Sequence, residues 1–412
     1  MTETFRFALT PQPTGPGMIV RGEGCELITD SGRRILDGCA GAVVNNIGHG
    51  RAEVADAVGE ALRAIDYVVP LWPTPNRVAL SDLLVERWLP EGFNQVFFAG
   101  GGSEANDTAM RLARMYHLSR GDEQRHRVIG RIPSYHGSTL ATLSIGGHMA
   151  RRDGFDPMLT EHPKVPWNSA EAVAAAIESA GPDTVAAFIA EPIIGASGPG
   201  LTAPLDYWAE VSEICREHGV LMISDEVMTG FGRTGAKWGF LDDDWQPDII
   251  VTAKGLTGGY APLSMVAAAD HVVAPLAESG NGIMFFTYSG HDSACAAALT
   301  VLQIIEHEGL MDRARVQGAR LEQGLRDTLD GHPNVNEIRG RGLLLGLELE
   351  GLPSADVVGE ALARDVWIYP GGSGPAVNDG LLLAPPLVVS DEQVDRIVDV
   401  TAEAIDAAAG AS

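Results

Sequence analysis

The chain is predicted to be an α/β protein organised on a doubly wound, largely parallel sheet, followed by a smaller α+β domain. From about residue 77 to 300, short apolar runs alternate with stretches of helical periodicity, as in strands joined by crossover helices. Two of those runs, Val220–Ser224 and Pro247–Ala253, stop at a charged residue, Asp225 and Lys254 respectively. Short apolar runs bounded by Gly and Pro read as buried parallel strands, which places both charges near strand carboxyl ends. Beyond Leu310 the pattern changes to amphipathic helices and short strands.

Residues 1–45 begin as a Pro/Gly-rich arm and continue as a short meander, Cys25–Thr29 and Arg34–Asp37, around the turn Asp30-Ser31-Gly32. This is too little to fold alone and is expected to pack with the small domain. A helix over roughly 52–64 presents Val54, Ala57, Val58, Ala61 and Leu62 on one face. Strands are expected at 95–99, 127–132, 184–190, 220–224, 248–252 and 263–268, and helices at 103–119, 170–179, 206–218 and 290–307. The remainder reads as a helix near 311–329, strands at 335–339 and 343–350, a helix near 354–364, a strand at 381–384 and a final helix from Asp391. The expected division is 1–45 for the arm and meander, 46–309 for a large cofactor-binding domain and 310–412 for a small domain.

With 45% hydrophobic and 20% charged residues the composition is that of a globular protein. The balance of 29 basic against 55 acidic residues, a net charge of -26, argues against nucleic acid and anionic membranes as partners. Any anionic cofactor must then be held by local donors. Cys25, Cys39, Cys215 and Cys295 are scattered without C-x-x-C spacing, so neither a metal site nor a disulfide framework is indicated and a cytoplasmic location is expected. The N-terminus lacks a basic-then-apolar signal, and no run approaches the ~18 apolar residues of a membrane helix. Asn106-Asp107-Thr108 matches a glycosylation sequon by chance only.

The carboxyl edge of an open α/β sheet is where such folds bind ligands. A lysine and a carboxylate there suit pyridoxal 5'-phosphate (PLP), because the amine attaches to the cofactor aldehyde and the carboxylate keeps the pyridine nitrogen protonated. The competing reading is an ordinary Asp225–Lys254 ion pair at a strand end. Upstream, Val96–Ala99 runs into Gly100-Gly101-Gly102-Ser103-Glu104-Ala105 and a helix, an anion site made of backbone N–H groups with the Ser103 hydroxyl as a further donor. Gly100, Gly102 and Ala105 also match a dinucleotide fingerprint. A nicotinamide site would need an acidic residue at the end of the next strand, and Arg127-Val128-Ile129-Gly130-Arg131 offers none.

The ordered string Asp225-Glu226-Val227, Gly230-Phe231-Gly232-Arg233-Thr234-Gly235, Pro247-Asp248, and Lys254-Gly255-Leu256-Thr257-Gly258-Gly259-Tyr260-Ala261-Pro262-Leu263 resembles the signature of class III aminotransferases, the ω-transaminase branch of fold-type-I PLP enzymes. Arg339-Gly340-Arg341-Gly342-Leu343 and Ala384-Pro385-Pro386-Leu387 match further landmarks, so the resemblance spans roughly residues 20–405. It implies a seven-stranded, mostly parallel sheet, with Lys254 as the cofactor anchor and proton carrier and Asp225 at the pyridine nitrogen. It also implies Gly102 and Ser103 at the phosphate, Tyr135, with His136 beside it, against one ring face, Val227 on the other, and Glu191 lining the site. Phe286 and Thr287 would belong to a loop that crosses to a neighbouring subunit's phosphate, giving a homodimer with shared sites, possibly a dimer of dimers. His49 is then a structural or pocket-rim residue, and His291 has a structural role at a helix start. The chain departs from the family pattern at Gly101, where serine is usual, and at Asp292, where proline is usual.

The activity implied is transfer of an amino group to an α-keto acid such as pyruvate. The same core residues serve racemases, a decarboxylase and an aminomutase of the family, which stay as alternatives. Val43, Trp72, Ala196 and Met228 fall at pocket positions in relatives, and all are apolar. The arginine that relatives carry shortly before Pro-Pro-Leu is missing, since residues 367–381 contain no arginine or lysine. The expected donor is therefore a primary amine or an ω-amino compound whose reacting carbon bears no carboxylate.

Overall fold

The structure, a computed structural model, describes residues 15–243, 245–280, 285–372 and 379–411. Residues 1–14 of the expected arm and 373–378 of the arginine-free stretch lie outside them. In chain order the strands open with β1 (Ile19–Glu23), β2 (Glu26–Thr29) and β3 (Arg34–Asp37), an antiparallel meander. The large sheet follows: β4 (Gln95–Ala99), β5 (Arg127–Ile132), β6 (Lys164–Pro166), β7 (Val185–Ala190), β10 (Leu221–Asp225), β11 (Ile249–Thr252) and β12 (Ser264–Ala268), with a two-stranded ribbon, β8 (Ile193–Ile194) and β9 (Leu201–Thr202), after β7. The C-terminal part adds β13 (Val335–Arg341), β14 (Leu344–Leu349), β15 (Val366–Trp367), β16 (Tyr369–Gly371) and β17 (Gly380–Leu383).

The large sheet has the order β4-β12-β11-β10-β7-β5-β6. Only β12 is antiparallel to its neighbours, so six strands run one way. Its two faces are both covered, as the strand period of two requires. Leu221 and Ile223 of β10, Ile249 and Val251 of β11, and Ala187 and Ile189 of β7 pack with Ala105, Ala109, Leu112 and Ala113 of the helix Gly102–Ser119. The alternate residues Met222, Ile250 and Phe188 join the opposite cluster, which includes Val173 and Ile177 of the helix Ala170–Ala180 and Val211 and Cys215 of the helix Tyr207–His218. β7, β10 and β11 are therefore buried on both sides, and the one charge they carry, Asp225, lies at a strand end.

The C-terminal strands form a four-stranded antiparallel sheet, β13-β14-β17-β16. The meander is completed by β15, which lies parallel to β3 with Val366 opposite Leu36. His49 ties the meander together: Nε2 lies 2.9 Å from Asp37 Oδ2, Nδ1 3.1 Å from Asn45 Nδ2, and its backbone bridges Gly24.

The expected strands occur within a residue or two of their predicted limits. Among the elements not foreseen, four have a plain reason. β6 is three residues closed by Pro166, too short to show a period. The helix Asp270–Ser279 contains Pro275, which reads as a breaker. The helix Pro75–Leu83 starts on a proline at its first position. β1 is almost wholly exposed, with no buried alternation to mark it. Among the described residues no helix is long and apolar enough to cross a membrane.

Candidate active site

Because β4, β5, β7, β10 and β11 run the same way, the segments that follow them meet at one edge. Gly102 and Ser103 after β4, Tyr135 and His136 after β5, Glu191 after β7, Asp225 and Val227 at the end of β10 and Lys254 after β11 all line one cavity of about 160 Å³. Asn106, Gly137, Met228 and Ala253 complete it.

Asp225 follows Leu221 and Ile223 at spacing two, so its side chain leaves β10 on the face covered by the helix Gly102–Ser119. There its Oδ2 accepts from Asn106 Nδ2 at 2.8 Å and lies 2.8 Å from His136 Nδ1, while Oδ1 accepts the Val227 N–H at 3.1 Å. Asn106 also donates to the His136 carbonyl at 2.8 Å. The carboxylate is thus aimed by three groups from three elements and is 3% exposed. The ion pair expected as the competing reading is not formed: Asp225 pairs with His136, not with Lys254.

Lys254 opens a short turn, Lys254–Leu256, at φ 38°, a left-handed backbone that non-glycine residues rarely adopt. Among the described residues its Nζ makes no hydrogen bond or ion pair. Burial lowers its pKa from 10.5 to about 8, against the opposing pull of Asp225 and Glu191. Glu191 accepts the Tyr135 N–H at 2.9 Å and the Gly195 N–H at 3.2 Å, and burial raises its pKa.

At the other end of the cavity, Gly101 precedes the helix Gly102–Ser119 and no side chain caps that helix start. The Gly100 N–H is taken by Glu104 Oε2 at 2.7 Å, and Ser103 Oγ accepts the Ser138 N–H at 3.0 Å. Gly137 has φ 140°, and a Cβ there would lie 2.5 Å from Ser103 Oγ. Glycine is required at that position because the loop after β5 presses on the helix start. Tyr135 is held at both ends, by Glu191 through its N–H and by Ser138 Oγ, 2.9 Å from its hydroxyl.

The neighbouring Glu226 points the other way. Buried on the far side of β10, it accepts from Ser224 Oγ at 3.2 Å, Thr229 Oγ1, the Gly239 N–H at 2.8 Å and the Phe240 N–H at 3.0 Å. It staples the loop after β10 and does not line the cavity. Arg233 is fully buried and donates to the carbonyls of Leu343 and Pro385 and to Asn46 Oδ1, joining the turn after β10 to the C-terminal sheet.

The remaining sequence-predicted residues lie outside this cavity in the single chain. Phe286 and Thr287 line an adjoining open groove of about 880 Å³, which reaches the cavity at Gly102 and Ser103. Val43 is buried in a cluster with Ile193, Leu344 and Leu382, against which Met228 packs. Trp72 is 66% exposed. The Ala196 carbonyl accepts the Gly372 N–H at 3.0 Å. His291 precedes the helix Asp292–His307, and Asp292 accepts from the Asn76 N–H and Nδ2 at 3.2 and 2.7 Å, so it holds the start of the helix Pro75–Leu83. Asn106 was missed by sequence reasoning. Its signal was a polar residue one turn into a helix whose flanking Ala105 and Ala109 are core residues.

The profile described as aminotransferase class-III matches residues 11–405. The chain belongs to the class III aminotransferases. It is 35% identical to a putrescine–pyruvate aminotransferase of Pseudomonas aeruginosa, covering 96% of this chain and 92% of that one. It is 36% identical to a diaminobutyrate–2-oxoglutarate transaminase of Halomonas elongata, covering 95% and 90%. Among solved structures, it superposes on an (S)-enantioselective ω-transaminase from Thermomicrobium roseum with a TM-score of 0.90 at 34% identity, over 97% of this chain and 96% of that one. The chain is thus a transaminase with the fold of the PLP-dependent transaminases.

The residues present fit the cofactor that class III aminotransferases use. An unpaired, desolvated lysine amine, a carboxylate fixed at the end of β10 and a helix start without a side-chain cap share one cavity. Two buried polar atoms beside the carboxylate, Asn106 Oδ1 and His136 Nε2, have no protein partner among the described residues.

Proposed function

We propose that this chain binds PLP at Lys254 and moves an amino group from a primary amine or an ω-amino compound to an α-keto acid such as pyruvate, by a ping-pong sequence. The observation that carries this reading is the Lys254 amine, which shares a cavity with Asp225 yet does not pair with it. An amine with its pKa brought to about 8 is nucleophilic near neutrality and can both take and return a proton there. Bound PLP supplies an electron sink for the charge left when a proton leaves the carbon bearing nitrogen. Asp225, oriented by Asn106, His136 and the Val227 N–H, would hold the proton on the pyridine nitrogen. Gly102, Ser103 and the open helix start would receive the phosphate. Tyr135 and Val227 would flank the bound ring and exclude water, and Lys254 Nζ would take up and return the proton.

The groove that carries Phe286 and Thr287 supports a homodimer with shared sites, in which Thr287 serves the partner subunit's phosphate. Exposed Leu71, Trp72, Phe285 and Tyr288 favour such an interface. Pairing of β15 with β3 supports assigning residues 1–45 to the small domain. Four buried, unpaired cysteines support a reducing, cytoplasmic setting.

The test is a half-reaction screen on purified protein reconstituted with PLP. The holoenzyme should be yellow, borohydride should fix the cofactor to Lys254, and primary and ω-amines should bleach it faster than alanine or glutamate. Faster bleaching by the α-amino acids would refute the donor preference. Return of racemised amino acid without net loss of amine would replace the reaction with racemisation.

A further inference from the structure

Arg131, near the end of β5, is 1% exposed and forms no ion pair among the described residues. It stands two residues after Ile129 and leaves β5 on the same face, the one covered by the helices Ala170–Ala180 and Tyr207–His218 and opposite to the face that carries Asp225. We infer that Arg131 is a positioning residue for the cofactor: from behind the sheet it fixes the Glu191 backbone, and through Glu191 it sets where Tyr135 stands against the ring. The inference rests on the PLP reading above and adds to that site a residue outside its cavity.

The carboxyl ends of β5, β6 and β7 meet around this side chain. Ladder pairing of β5 with β7 runs as far as Ile129 opposite Phe188, while Gly130–Ile132 pair with β6 on the other side. Past the last β5–β7 pair, the guanidinium spans the gap. Its Nη2 donates to the carbonyl of Glu191, the residue directly after β7, and Nη1 reaches the carbonyl of Trp167, the residue directly after β6, at 3.4 Å. The fork is held in its plane by aromatic faces: the guanidinium carbon stands 5.1 Å from the centroid of Trp208 and 6.0 Å from that of Tyr207, and Trp208 is itself stacked on Trp245 at 4.4 Å.

Stability alone gives no reason for an arginine here. A buried charge with no carboxylate beside it loses its hydration, and two carbonyls and two aromatic faces offset only part of that loss. Nε has no hydrogen-bond partner among the described residues. A methionine would fill the same space with no charge to desolvate. It could not hold two strand ends at a fixed separation. That takes a rigid fork with donors on both arms, which lysine, with a single donor centre, supplies only in part.

Glu191 carries this hold into the cavity. Its carbonyl is fixed by Arg131, and its carboxylate accepts the Tyr135 N–H at 2.9 Å and the Gly195 N–H at 3.2 Å. Both Glu191 and Tyr135 line the Lys254 cavity. Tyr135 follows Arg131 closely in the chain, and between them Ser134 Oγ donates to the Arg131 carbonyl at 2.7 Å and accepts the Gly147 N–H at 2.9 Å. The contacts close a ring: Arg131 side chain to Glu191 backbone, Glu191 side chain to Tyr135 backbone, and Tyr135 back along the chain to Arg131. Losing the Arg131 fork opens that ring and frees Glu191 and the Tyr135 backbone together.

The experiment titrates PLP into cofactor-stripped wild type, Arg131→Met, Arg131→Lys, Glu191→Ala and the double variant Arg131→Met with Glu191→Ala. Two readouts need no turnover: the PLP dissociation constant, and the visible circular dichroism per bound cofactor, which reports how asymmetrically the ring is held. Arg131→Met should raise the dissociation constant about tenfold, the size of one charge-assisted hydrogen bond, and lower the dichroism by about half or more. Arg131→Lys should recover part of both. Glu191→Ala should show a similar loss, and adding Arg131→Met to it should change the dissociation constant less than about twofold further, because the effect passes through Glu191. Full additivity of the two lesions, or an unchanged dissociation constant and dichroism in Arg131→Met, overturns the inference and leaves the PLP reading standing. Should Arg131→Met fail to fold by far-ultraviolet dichroism, Arg131→Lys carries the test, and wild-type values in that variant are the overturning result. A wild type that takes up no PLP, or takes it up without imine absorbance, overturns the PLP reading and the inference with it.

Discussion

Replacing Lys254 by methionine should make the cofactor-free protein more stable at pH 7. The lysine amine is buried without a partner among the described residues, and burial lowers its pKa from 10.5 to about 8. In the unfolded chain the same amine is hydrated and protonates as an ordinary lysine. At about 1.4 kcal/mol per tenfold change in proton affinity, the drop corresponds to about 3 kcal/mol lost on folding. The folded state binds the proton more weakly, so stability is highest above 10.5, where both states are neutral, falls as pH drops from 10.5 to about 8, and levels off below that, where both states are protonated. Methionine is unbranched and of similar length, and fills the space without a charge to desolvate. The assay is urea unfolding of both proteins, stripped of cofactor and at one fixed protomer concentration, at pH 7 and pH 10.5. The variant should lead by about 2–3 kcal/mol at pH 7, with the gap closing at pH 10.5. A variant no more stable than wild type at pH 7 would show that the amine is hydrated or paired, and the argument that desolvation prepares it as a nucleophile would fail.

Asp225→Asn should keep cofactor fixed by borohydride but lower turnover about 100-fold or more, because a neutral amide cannot hold the pyridine proton; wild-type kinetics would remove Asp225 from the mechanism. Glu226→Ala should leave the Gly239 and Phe240 N–H groups and two hydroxyls buried without an acceptor and cost about 3–5 kcal/mol in urea unfolding. A loss below about 1 kcal/mol would mean that water replaces the carboxylate. Mixing Lys254→Ala chains with Thr287→Ala chains should yield heterodimers with one site free of both lesions, and therefore activity above either parent. No recovery despite verified subunit exchange would place Thr287 outside the partner's site.

What the sequence made legible is what strand ends make legible. Asp225 and Lys254 each end an apolar run at a strand end, and Gly100–Ser103 ends a third such run with glycines before a helix. The illegible part depends on side chains from elements distant in sequence. Asn106 reads as a polar residue on an ordinary helix, and only the packing of that helix over β10 brings it to Asp225, 119 positions away. β6 and the helix around Pro275 were lost for a different reason: the first is too short to alternate, and the second carries a residue whose propensity opposes the structure that packing imposes.

Two adjacent carboxylates show how the fold separates chemistry from support. Asp225 and Glu226 are one bond apart and both almost fully buried, yet the period of the strand sends them to opposite faces of the sheet. On one face Asp225 meets a histidine and an amide and lines the cavity. On the other Glu226 meets two hydroxyls and two backbone N–H groups and is saturated, with no capacity left for a ligand. Shifting β10 by one residue relative to the helix Gly102–Ser119 would exchange their tasks and bury the cavity's carboxylate among Phe240 and Trp238. The register of β10, with Ile223 opposite both Ile189 and Ile249, therefore matters to function as much as to stability. Substitutions that loosen that register should lower cofactor affinity before they unfold the protein, because aiming the Asp225 carboxylate needs three groups from three elements in place at once.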